Sequence, residues 1–115
     1  MAVLFTNNTD TQMKNLGFIR VAAAVPCVRI ADTGFNTEEI CRSAEEAFAK
    51  EASLVVFPEL SVTGYSCGDL ISQNMIIDSA EKGIRKILEF SRGKAMTMVI
   101  GAPVPYRSRL YNCAI

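Results

Sequence analysis

Apolar residues along this chain fall into two patterns, short dense runs and stretches in which they recur every three or four positions. Phe18-Ile19-Arg20-Val21-Ala22-Ala23-Ala24-Val25 is a run broken only by Arg20 and closed by Pro26. It predicts a buried strand. Leu54-Val55-Val56-Phe57 is a second run, ended by Pro58, which has no N–H to give a ladder. Met96 to Ala102 predicts a third strand and Leu110 to Ile115 a fourth. Between them Pro103 and Pro105 limit pairing, and the turn at Tyr106 to Arg109 contains no glycine, so its geometry is open.

The helical pattern occupies the intervals. Asn36 is placed to cap a helix over 36–51, with Glu39 completing a capping-box-like pair. Ile40, Cys41, Ala44, Ala47 and Phe48 share one face, and Glu38, Arg42, Glu45, Glu46 and Lys50 lie elsewhere. A second helical region runs from Asp69 to Arg92, its helix near 71–92, with an inward stripe of Ile77, Ala80, Ile84, Ile87 and Leu88. Gly93 is its stop, while Gly83 inside it costs about 1 kcal/mol against alanine and argues against continuity. Strand–helix–strand order predicts parallel strands joined by right-handed crossovers. The expected fold is α/β, one sheet of strands near 18–25, 53–57, 96–102 and 110–115 with two helices on one face.

Composition narrows this picture. The 115 residues make at most one small domain, and 50% hydrophobic with 21% charged residues suits a packed core. Twelve basic and twelve acidic residues balance, which argues against a nucleic-acid or membrane-surface partner. No apolar run is long enough for a membrane span, and the first residues lack signal-peptide order, so a cytoplasmic protein is expected. Residues 1–15, with the polar run Thr6-Asn7-Asn8-Thr9-Asp10-Thr11, read as a loosely ordered leader to a domain over 16–115. Cys27, Cys41, Cys67 and Cys113 are far apart and there is no histidine, so no metal site is expected. Without histidine, a Ser-His-Asp or Cys-His mechanism is excluded within these residues. Lys82 and Lys94 read as solvated.

Chemistry concentrates just after the second run. Glu59 stands where that strand emerges into a loop punctuated by Gly64 and Gly68. In open α/β sheets ligands bind at the carboxyl ends of strands. A carboxylate there is either a functional group or a strand-end residue that caps a helix or faces water.

Phe57-Pro58-Glu59-Leu60 and Thr63-Gly64-Tyr65 resemble the first catalytic motif of the nitrilase (carbon–nitrogen hydrolase) superfamily. Ser66-Cys67-Gly68-Asp69-Leu70 narrows the resemblance to the glutaminase domain of glutamine-dependent NAD synthetases. Gly17 to Pro26, Asn36 to Ala52, Gly101 to Val104 and Leu110 to Ala114 match neighbouring blocks in order.

The resemblance implies a truncated nitrilase-like α-β-β-α sandwich, the amino-terminal part of a longer domain. It implies hydrolysis of the glutamine side-chain amide, with Glu59 as general base and Tyr65 either lining the substrate pocket or packing under the loop. The family's lysine and nucleophilic cysteine would lie beyond Ile115, so the chain alone is expected to be inactive, and Cys67 reads as structural. Glutamine is the implied substrate. The released ammonia would amidate nicotinic acid adenine dinucleotide to NAD in a second domain using ATP and magnesium, with no cofactor in this segment and a homo-oligomeric whole protein. The alternatives are a stand-alone amidase or nitrilase of the same superfamily, or a non-catalytic homologue serving as an interaction piece.

Overall fold

The structure, a computed structural model, describes residues 2–4 and 16–115. Strands β1 (Ala2–Leu4), β2 (Val21–Val25), β3 (Leu54–Val56) and β4 (Thr97–Val99) form a four-stranded sheet in that order. Strand β1 runs antiparallel to β2, while β2, β3 and β4 are parallel, with Val21 beside Leu54 and Leu54 beside Thr97. Helix α1 (Thr33–Ala49) connects β2 to β3, and α2 (Asn74–Ser91) connects β3 to β4. Strands β5 (Gly101–Tyr106) and β6 (Arg109–Ala114) form a separate antiparallel ribbon.

Both helices lie on one sheet face, as their apolar stripes require, although in α2 Leu88 of the expected stripe is exposed and Ile76 is buried in addition. Along β2 only Ala22 and Ala24 are buried, sharing a core with Ile40, Ala44 and Ala47 of α1, Val55 of β3, and Ala80 and Ile87 of α2. The alternate residues Val21, Val25 and Val56 are exposed on the other face. The small alanines let α1 settle close to the sheet. The chain is α/β, as its periodicity predicts.

Several details differ from that expectation. The strand expected over 96–102 divides at Ile100, so there are two hydrogen-bonded sets and not one sheet. Pro58 ends the β3 ladder, leaving no partner past Val99, and Ile100 exchanges two 2.9 Å backbone bonds with Ile115. Phe18 and Ile19 precede the strand and are exposed. Of residues 1–15, Ala2–Leu4 pair as a strand and the rest lie outside the described residues. Helix α1 begins earlier than expected: Asp32 is its cap, accepting from the Phe35 N–H at 3.1 Å, and Asn36 lies inside the first turns. The glycine-free turn closes as a two-residue hairpin between Tyr106 and Arg109, with Arg107 and Ser108 at φ 46° and 61°. That is the left-handed geometry such hairpins require. Lys94 is not solvated. It pairs with Glu45 at 3.5 Å, lies 4.0 Å from the Phe90 ring centroid and donates to the Phe90 carbonyl, tying the end of α2 to α1.

Helix α2 is unbroken through Gly83, preceded by a 3-10 segment over Tyr65–Ser72 that kinks at Gly68. Gly83 is buried where α2 crosses α1, and a Cβ there would meet the Thr37 hydroxyl oxygen at 2.5 Å. That hydroxyl already donates to the Thr33 carbonyl at 2.6 Å. The glycine is thus a point of close helix approach, which outweighs its propensity penalty. Gly83→Ala should therefore destabilise the fold by about 1–2 kcal/mol, overpacking exceeding the roughly 1 kcal/mol propensity gain. Adding Thr37→Ser, which trims the γ-methyl, leaves that clash in place, whereas Thr37→Ala should recover part of the loss. Urea unfolding midpoints measure this, and a more stable Gly83→Ala chain would contradict it.

Candidate active site

Beyond β3 the chain folds into a tight turn. The Ser61 N–H donates to the Pro58 carbonyl at 3.2 Å, and the Thr63 and Gly64 N–H groups donate to the Leu60 carbonyl at 3.1 and 2.7 Å. Leu60 adopts φ 51°, unusual for a residue with a branched side chain, and its side chain is buried. Buried neighbours hold it there. Ser61, Val62 and Thr63 are all within the protein interior, leaving Pro58 and Glu59 on the surface.

Two partners fix this turn. The first is Gly101, whose backbone lies directly against it. A Cβ on Gly101 would fall 2.4 Å from Leu60 N, 2.6 Å from the Pro58 carbonyl oxygen and 2.8 Å from Glu59 C. The Val62 N–H donates to the Gly101 carbonyl at 3.2 Å, and the Ser61 hydroxyl bridges the Gly101 backbone at 3.3 Å in both directions.

The second partner is Asn36, fully buried. Its amide donates to the Val62 carbonyl at 3.1 Å and the Arg29 carbonyl at 2.8 Å, and accepts from the Arg29 N–H at 2.7 Å. It clamps the turn to the segment between β2 and α1. The Ala31 N–H completes that link with a 2.8 Å bond to the Thr63 carbonyl. Gly64, at φ 90°, lets Val28 approach within 3.2 Å of where a Cβ would stand.

Glu59 thus has a rigid base and an exposed carboxylate. Asn112 on β6 donates its side-chain amide to Glu59 Oε1. The ribbon of β5 and β6 delivers this amide, since β5 begins at the Gly101 contact and pairs Pro103 with Asn112. Chemically the arrangement is an ionisable acceptor on a fixed backbone, with one oxygen occupied by a neutral donor.

The remaining candidates are scattered. Tyr65 is 71% exposed at the start of the 3-10 segment, which rules out packing under the loop. Cys67 is buried in the same segment. Cys113 is half-buried and, by strand alternation, faces away from Asn112 and so from Glu59. Burial pushes the Cys41 thiol above its ordinary value, the opposite of activation. Lys82 is exposed on α2. Among the described residues no group of three or more histidine, cysteine or acidic side chains could hold a metal. No helix among them is long and apolar enough to cross a membrane.

The sequence pattern led to Glu59 but not to Asn36, Gly101 or Asn112. A glycine inside a strand run, as in Ile100-Gly101-Ala102, is a signal of close backbone approach and would have pointed to Gly101. Asn112 and Asn36 carry no such signal, because their partners are distant in sequence.

The profile of the family described as Carbon-nitrogen hydrolase matches residues 20–115, and the chain belongs to that family. It is 35% identical over 99 residues to the glutamine-dependent NAD(+) synthetase of Mycobacterium leprae, a match covering 86% of this chain and 15% of that protein. The chain therefore spans about 15% of the length of the curated relatives it matches. The crystal structure of a glutamine-dependent NAD(+) synthetase from Cytophaga hutchinsonii superposes with a TM-score of 0.77 at 27% identity, over 84% of this chain and 16% of that one. An amidase from Nesterenkonia superposes at 0.64 with 24% identity, over 76% of this chain and 33% of that one, and so shares the fold. The architecture of this chain is accordingly the nitrilase-like α/β fold.

Gly101→Ala should displace the 58–60 backbone, which cannot yield as a flexible side chain would. A loss of about 2–3 kcal/mol is expected in denaturant unfolding. An alanine variant of unchanged stability would contradict the close contact.

Proposed function

We propose that this chain is part of the glutamine-hydrolysing portion of a glutamine-dependent NAD synthetase, with Glu59 as its general base. One observation carries the reading: the similarity to such synthetases extends across 86% of the chain, with Glu59 on the fixed turn that leaves β3. The family's cysteine and lysine are not among these 115 residues. In the proposed reaction the Glu59 carboxylate takes the thiol proton as the sulfur attacks the amide carbon of glutamine. The lysine steadies the oxyanion, and Glu59 hands that proton to the nitrogen as ammonia leaves and the thioester forms. A carboxylate again, Glu59 then takes a proton from the water that releases glutamate and returns it to the sulfur.

Tyr65, exposed shortly after the turn, lines the substrate pocket in this reading, its phenol holding a polar group of the substrate. Ammonia then serves the ATP- and magnesium-dependent amidation of nicotinic acid adenine dinucleotide in a further domain, within a cytoplasmic homo-oligomer. The 115 residues alone, with one of three catalytic groups, are inactive in this reading. The alternative of a stand-alone amidase draws only on shared fold.

Glu59→Gln tests this in the enzyme that contains the segment, with NAD formation measured from glutamine and separately from ammonium. Glutamine-driven formation should fall by about 10²–10⁴-fold, because the amide keeps the shape but cannot take a proton. Ammonium-driven formation bypasses that step and should be nearly unchanged. A parallel fall in both would make Glu59 structural, and no fall in either would refute the reading.

A further inference from the structure

We infer that Asn112 is a positioning residue for the Glu59 carboxylate, a role that rests on the proposed function of Glu59. A glutamate side chain in water has three rotatable bonds and no reason to hold one direction. Glu59 is exposed, so burial does not restrain it. Its backbone is fixed by Gly101 and the turn, but that fixes only where the side chain begins. The bond from the Asn112 amide to Oε1 supplies the missing restraint at the far end.

The chemistry of the donor suits the role. An amide N–H donates to a carboxylate without carrying charge and without giving up its proton, so it orients a base without neutralising it. A lysine or arginine there would form an ion pair and weaken the base. One amide occupies one oxygen, leaving Oε2 to receive a proton. Asn112 is itself well anchored, lying in the middle of β6 opposite Pro103, with the ribbon tied to the turn through Gly101. The same ribbon therefore sets both ends of the Glu59 side chain. Asn112 is exposed, so burial of its side chain contributes little to the fold.

The test is a double-mutant cycle in the enzyme that contains the segment, reading kcat for glutamine hydrolysis. Asn112→Ala should lower kcat by about 10- to 100-fold, with KM for glutamine changed far less, because a misplaced base loses rate and not binding. Asn112→Asp, nearly isosteric, sets a second negative charge against Glu59 and should lower kcat further, and it keeps the test alive if the alanine variant melts early. In a Glu59→Gln background, Asn112→Ala should add less than about a twofold loss, since its target is gone. An equal loss in both backgrounds, or unaltered kcat in Asn112→Asp, would overturn the inference while leaving Glu59 as base intact. If Glu59→Gln itself left kcat unchanged, the proposed function would fail first and take this inference with it.

Discussion

The constraint on which the rest depends is the close approach of the Gly101 backbone to Pro58, Glu59 and Leu60. Strand β3 is stopped by Pro58, and β4 would continue alone past Val99. At Gly101 the chain instead presses against the turn, at distances that admit no side chain. From that point it pairs with β6, and the ribbon reaches the carboxylate through Asn112. One glycine thus sets where the sheet divides, where the turn sits and which residue meets Glu59. Any β-carbon at position 101 would have to move backbone, which is far stiffer than a side chain.

Asn36 holds the opposite side of the same turn. A buried amide is costly unless satisfied, and this one makes three short bonds to backbone groups of two separate segments. The turn is therefore gripped between β5 and the β2–α1 connection. Helix packing extends that grip, because α1 carries Asn36 and is itself seated against α2 at Gly83. Stability and site geometry share the same contacts here. A loop so held presents Glu59 with little reorganisation, which is what the proposed role of general base requires.

Much of this was legible in the sequence, and the limits have physical reasons. The runs at 18–25 and 54–57, Pro58 and the helical stripes gave the α/β order, because periodicity reports which face is buried. Glu59 stood out through its place after Pro58. What periodicity cannot report is contact between distant segments. Asn36 looked like a cap because its type favours caps, yet Asp32 caps the helix and Asn36 is used for its buried amide. Gly83 looked like a flaw in a helix because its partner, Thr37, lies on another helix. Lys94 looked solvated because the ring of Phe90 and the carboxylate of Glu45 meet it only after folding. The division at Ile100 depended on Ile115, far along the chain.

The central claim, that Glu59 stands on a turn held as firmly as the core, is tested most directly by native-state hydrogen exchange of the Ala31, Val62 and Gly64 amides. Each donates a backbone bond within or across the turn, at 2.8, 3.2 and 2.7 Å. The account predicts that Val62 and Ala31 exchange with protection close to that of Val55 in the central strand, and that Asn36→Ala lowers both together. Opening of these amides at the low free energy of an ordinary surface loop, independent of Asn36, would contradict it.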